Sequence, residues 1–152
     1  MDCGDLAAEL LDCLPANRTL GLTVSQACDG RGVAGLAVSE PVHNVIGSLH
    51  SSGVVALADA AALAAVLSTA PDEATARRLQ PLGVQAEVVF HRPARGVAEA
   101  VCRLDSVAEQ ALADMYAGNR HQIRVNTRIE IGTSANAVAA EAVFTWAIRL
   151  AP

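Results

Sequence analysis

The chain has 152 residues, a formal net charge of −5 and 52% apolar residues, enough for one domain with a sizeable core. Acidic balance without a basic block argues against nucleic acid as the main partner. All eleven basic residues are arginine, which excludes a Schiff-base lysine and the lysine of a phosphate-binding loop.

The N-terminus, MDCGDLAAELL, carries acids where a secretory leader would be basic, so no leader is expected. The four cysteines, Cys3, Cys13, Cys28 and Cys102, lack metal-type spacing. They read as free thiols of a cytoplasmic protein, with no metal site. Residues 5–14 predict a short amphipathic helix stopped by Pro15. Residues 20–28 and 33–40 predict two strands joined by a tight turn at Asp29-Gly30-Arg31-Gly32. Pro41 ends the second strand, and a loop over 42–48 leads into the stretch around which the chain is organised.

From Leu49 to Leu67 nearly every residue is apolar or small, the composition of a helix buried on all sides. Its alanines let a sheet approach closely. At about 19 residues and carrying Ser51, Ser52 and Asp59, it reads as a core helix and not a membrane span. Asp59 is its single charge, and a lone carboxylate in apolar surroundings is a candidate functional group. The entry is polar and small: Asn44, Gly47, Ser48, His50, Ser51, Ser52 and Gly53. A helix start offers unpaired backbone N–H groups, suited to an oxyanion.

Pro71-Asp72-Glu73 breaks the pattern, and 72–80 reads as a polar turn or short helix. Val84, Ala86, Val88 and Phe90 predict a strand with one apolar face. His91 to Gly96 turns the chain, and 97–104 returns as a strand. Ser106-x-x-Glu109 is a capping box opening a helix to about Tyr116, closed by Gly118. Residues 122–131 alternate, with Ile123, Val125, Thr127, Ile129 and Ile131 inward. Residues 132–136 predict a turn, and 138–150 predict a last strand with Val138, Ala140, Ala142, Phe144, Trp146, Ile148 and Leu150 inward. The expected architecture is α+β: a single domain of six antiparallel strands enclosing one helix.

Over residues 17–150 this layout resembles the hotdog-fold thioesterases of the phenylacetate-degradation and 4-hydroxybenzoyl-CoA type. In that family an Asn or Gln stands six residues before a His-Gly-Gly helix entry, and a catalytic acid nine residues after the histidine. Asn44, His50 and Asp59 stand at those intervals. The turn Phe90-His91-Arg92-Pro93-Ala94-Arg95-Gly96 is a weaker match, and the helix over 106–116 looks like that of a hotdog subgroup of unassigned substrate. The resemblance implies an acyl-CoA or acyl-carrier thioesterase, with no cofactor beyond the coenzyme A of its substrate. It acts as a homodimer or a larger assembly of dimers, with no membrane or nucleic-acid partner. It makes Asn44 and the Ser51 N–H the oxyanion hole and Asp59 the base or nucleophile. Gly47, His50, Ser52, Gly53, Arg92 and Arg95 would contact substrate.

This chain departs from the family in having Ser51-Ser52 for Gly-Gly. It also lacks a hydroxyl one turn after the acid, a role that would fall to Ser68 or Thr69. Each site residue also has a plainer reading. Asp59 would pair with an arginine across a dimer interface, Asn44 would be a turn residue, and His50 a structural histidine. Ser51 and Ser52 would be helix caps, and Arg92 and Arg95 solvated charges. The alternatives in function are a hotdog dehydratase or hydratase, and a non-catalytic acyl-CoA-binding dimer.

Overall fold

The computed structural model describes residues 3–133 and 137–152; most of the turn expected at 132–136 lies outside them. The chain opens with α1 (Cys3–Asp12). Pro15 does not simply stop a helix, as expected, but starts a second one, α2 (Pro15–Leu20). Its missing N–H is no loss at that position. Gly21, at φ 67°, closes α2, so the first strand begins at Thr23 and not at residue 20. Two side chains fasten this corner. Asn17 Nδ2 donates to the Leu11 carbonyl at 2.9 Å, and Asp12 Oδ1 accepts from the Val24 N–H at 2.8 Å.

Strands β1 (Thr23–Cys28) and β2 (Arg31–Ala37) form the expected hairpin. Asp29 and Gly30, at φ 47° and 70°, give the doubly left-handed turn that matches strand twist. After a 3₁₀ turn at Glu40–Val42 come the central helix α3 (Ser51–Leu67) and the short α4 (Glu73–Arg78). The chain continues through β3 (Leu79–Phe90), β4 (Val97–Arg103), α5 (Ser106–Tyr116), β5 (Gln122–Thr133) and β6 (Val138–Leu150). The N-cap of α5 is Asp105, whose side chain accepts from the Ala108 N–H at 2.8 Å. It stands one residue before the Ser106 expected from the capping-box pattern.

The six strands form one antiparallel sheet in the order β1-β2-β4-β5-β6-β3. The alternating face of β5 is buried as expected, Thr127 included. The Thr127 hydroxyl accepts from Trp146 Nε1 at 3.0 Å, satisfying two polar groups in the core at once. Phe144 and Trp146 stack beside it, with ring centroids 5.4 Å apart. Val138, expected inward, is exposed at the strand's start.

Helix α3 packs against β2, β4, β5 and β1 and scarcely touches β3. Its alanines serve the expected purpose: a Cβ on Gly32 of β2 would stand 2.1 Å from the Ala61 carbonyl oxygen and 2.4 Å from the Ala65 nitrogen. Strand and helix backbones touch there. The helix is not buried on all sides, however. Val55, Ala56, Asp59, Leu63 and Leu67 form a half-buried stripe, because sheet covers a single side of it. Strand β3 differs from expectation for the same reason. It is one of the two outer strands, begins five residues before Val84, and accommodates Pro81 as an edge strand can. Val84 and Phe90 of its expected inner face remain 46% and 55% exposed.

Candidate functional site

The segment before α3 is a built loop. Asn44 Oδ1 accepts from the backbone N–H groups of Ile46 (3.1 Å) and Ser48 (3.2 Å), and Asn44 Nδ2 donates to the buried Ser48 Oγ at 2.9 Å. This is the side-chain turn that asparagine favours, completed by Gly47 at φ 70°, whose N–H reaches the Asn44 carbonyl at 2.9 Å. Arg95 reaches over from the 91–96 turn and donates to the Ile46 carbonyl at 3.0 Å.

His50 is the N-cap of α3, and its Nδ1 accepts from the Ser52 N–H at 3.2 Å. The Ser52 hydroxyl lies 2.8 Å from the same nitrogen. The Gly53 and Val54 N–H groups both go to the His50 carbonyl, at 2.9 and 3.1 Å. Of the first three N–H groups of α3, the Ser51 N–H alone has no hydrogen-bond partner among the described residues. The helix start thus offers one aimed donor, made so by the histidine cap that occupies the next.

Asn44, Ser51 and Arg92 line one cleft of about 370 Å³. Its walls also include Ile46, Ser48, Phe90 and His91, and its floor Ala139 and Ala140 of β6. The Ala139 carbonyl accepts from the N–H groups of His91 and Arg92, at 2.9 and 3.1 Å, which locks the turn against the sheet. His91 Nε2 meets Glu141 at 2.6 Å. The Arg92 guanidinium has no bond to another described residue, which leaves a cation at the cleft. Gly47, His50, Ser52, Gly53 and Arg95 shape the loop and the helix start and do not line the cleft. Ser48 was read in the sequence as part of the polar helix entry and Ala140 as an inward strand position, neither as a site residue, and Ala139 was not marked at all; small residues there look like any other strand or loop positions.

Asp59 lies outside the cleft, two turns further along α3, about 12 Å from Ser51. No hydrogen bond or ion pair from a described residue reaches its carboxylate. Burial alone pushes its pKa up from 3.8 to about 6, so at neutral pH it is ionised with little to spare. Ser68 and Thr69 do not serve it. Ser68 Oγ donates to the Ala65 carbonyl and accepts from the Gly30 N–H, pinning the β1–β2 turn to the end of α3. Thr69 Oγ1 lies at 2.8 Å from the Val66 carbonyl and 3.2 Å from the Tyr116 hydroxyl.

Among the described residues no group of three or more His, Cys, Asp or Glu could hold a metal, and no helix is long and apolar enough to cross a membrane. Among the described residues Cys13 and Cys102 are free thiols, and burial raises the Cys102 thiol to about 12, far from a reactive thiolate.

A six-stranded antiparallel sheet laid over one central helix is the hotdog fold. The chain belongs to the family described as Domain of unknown function (DUF4442), which it matches over residues 7–148. Its structure is similar to that of a Pseudomonas aeruginosa protein of unknown function described as a probable thioesterase. The TM-score is 0.78 at 24% identity, over 96% of this chain and 95% of that one. It is similar also to a thioesterase from Haemophilus influenzae, with TM-score 0.72 at 18% identity, over 93% and 87%. A point variant of a Staphylococcus aureus thioesterase gives TM-score 0.68 at 18% identity, over 87% and 96%. No curated protein matches the sequence.

Proposed function

We propose that the protein hydrolyses the thioester bond of an acyl-CoA or acyl-carrier substrate, as a homodimer whose two sites are shared between the copies. The observation that carries the reading is Asp59: an unpaired carboxyl on an otherwise apolar helix, with its pKa raised to about 6. That is the condition of a general base working near neutrality. The named thioesterases of the same fold support it.

The thioester carbonyl oxygen accepts from the Ser51 N–H and from the remaining N–H of Asn44 Nδ2. These two donors stabilise the oxyanion as it forms. Ser51 supplies a backbone donor as well as glycine would, so the loss of the Gly-Gly pair leaves this function intact. Asp59 takes a proton from water, whose oxygen adds to the carbonyl carbon. The C–S bond then breaks, the acid is released, and the sulfur leaves as a thiol with a proton. Asp59 is too far along its helix to serve the cleft of its own chain. The exposed edge of β3 is where a second copy would pair, bringing the stripe of one α3 toward the cleft of the other chain. Arg92 then faces the phosphates of the carrier.

Asp59→Asn keeps the size and removes the base. The expected result is a folded, dimeric variant whose thiol release from its best acyl-CoA falls about a hundredfold or more. Near wild-type turnover in that variant sinks the mechanism.

A further inference from the structure

A second concavity, separate from the cleft, opens between α1, α3, α4 and the first residues of β3. It has a volume of about 300 Å³, at the small end for a ligand pocket, and is lined mainly by leucine. Leu10, Leu14, Leu63, Leu67 and Leu79 converge on it and none of them is fully buried. No aromatic ring lines it, and its single charged residue, Arg77, is held at 2.8 Å by both Glu9 and Glu73. Those ion pairs bridge α1 to α4 across one end and leave no free cation inside. The Asn17 and Asp12 bonds that fasten the α1–α2 corner make α1 a fixed wall.

Leu63 and Leu67 stand four and eight residues after Asp59, on the same half-buried stripe of α3. Residues at that spacing lie along one face of a helix, so the stripe runs from the carboxylate straight into the groove, about 12 Å in length.

We propose that this groove holds the acyl chain of the substrate, and that the chain it takes is a straight, medium-length aliphatic one. The proposal rests on the hydrolase reading above. The carbonyl sits at Asp59 and the methylenes run along Leu63 and Leu67 under α1. A second copy of the chain is the poorer occupant, because the groove is concave and walled by the protein's own helices. The flat edge of β3 is the surface a copy would take. An aryl group is poorly served by a narrow leucine lining without a ring to stack on.

Two measurements on the intact protein test this: thiol release from straight-chain acyl-CoAs, acetyl to palmitoyl, with benzoyl-CoA beside them, and calorimetric binding of free straight-chain fatty acids. The expected kcat/KM rises roughly fourfold per methylene until the groove is full, then levels off, and fatty-acid affinity follows the same course. Leu14→Trp, at a 40% exposed position between α1 and α2, and Leu63→Trp each shift the preferred chain shorter. A rate independent of chain length, a preference for benzoyl-CoA, or an unshifted optimum in both tryptophan variants overturns the groove while leaving the hydrolase reading standing. Fatty acids bound with the expected length dependence by a protein inactive on every thioester overturn the hydrolase reading and support the groove.

Discussion

Asp59 couples the chemistry of the site to the stability of the fold. Its carboxyl titrates near 3.8 unfolded and near 6 folded, so between those values the native chain holds a proton that the unfolded chain has lost. Stability is therefore fully present below about pH 4 and declines as pH rises through 6, by up to about 3 kcal/mol from this group alone. Asp59→Asn removes the ionisation. The variant is expected to melt higher than wild type at pH 7 and at the same temperature near pH 4, which calorimetry at the two pH values would read. A variant melting lower at pH 7 would instead reveal a cation from a second copy paired with Asp59, and the structural role would replace the catalytic one. The rest of the site is less costly to hold. Asn44, His50 and Arg95 bind the loop together, and what is left free for a ligand is the Ser51 N–H and the second N–H of Asn44 Nδ2.

At the scale of elements, the contact of β2 with α3 governs how the sheet wraps. Gly32 is required there by close approach, since the Cβ of any other residue would overlap the helix backbone, which has no side-chain freedom with which to yield. Gly32→Ala is expected to cost roughly 3 kcal/mol or more, whereas Gly35→Ala, whose Cβ would meet its nearest atom at 3.6 Å, is expected to be nearly neutral. Urea unfolding of the two variants side by side checks this, and equal midpoints would show that the helix moves away freely. Strand β3 is governed by the opposite condition: it has β6 on one side and no strand on the other. Leu82, Val84, Val89 and Phe90 are all strongly exposed along it. A long apolar edge of that kind is a template for pairing with another chain.

For the whole molecule, that edge predicts its assembly. Two copies joined antiparallel through β3 make one continuous sheet, cover the exposed apolar residues, and lay the first part of the α3 stripe, Val55, Ala56 and Asp59, against the partner, leaving Leu63 and Leu67 to the leucine groove. Light scattering at micromolar concentration is expected to give twice the chain mass. Val84→Lys is expected to shift the equilibrium toward monomer and to lower thioester turnover with it, since each proposed site needs both copies. Activity undiminished in a monomeric variant would show that Asp59 and the cleft serve each other within one chain.

The amino-acid sequence by itself determined most of the elements, because their signals are local. The alternation of β5, the Asp-Gly turn, the Ala-rich helix and the proline and glycine punctuation each depend on residues a few positions apart. It marked Asn44, Ser51 and Asp59, since a lone acid in an apolar run and polar residues at a helix start are visible in one dimension, whereas Arg92 came only with the family resemblance of its turn. The tertiary structure decided what those residues touch. The sheet order, set by pairings between distant strands, left β3 on the edge and so left its apolar face uncovered. Pro15 began a helix because Leu14 before it is extended. Asn44 Oδ1 is committed to its own turn, the His50 ring claims the Ser52 N–H, and Asp59 stands outside the cleft, two turns after Ser51. The leucine groove is assembled from α1, α3, α4 and β3, whose lining residues lie up to about seventy positions apart. Packing alone brings them together, and no local pattern encodes a volume.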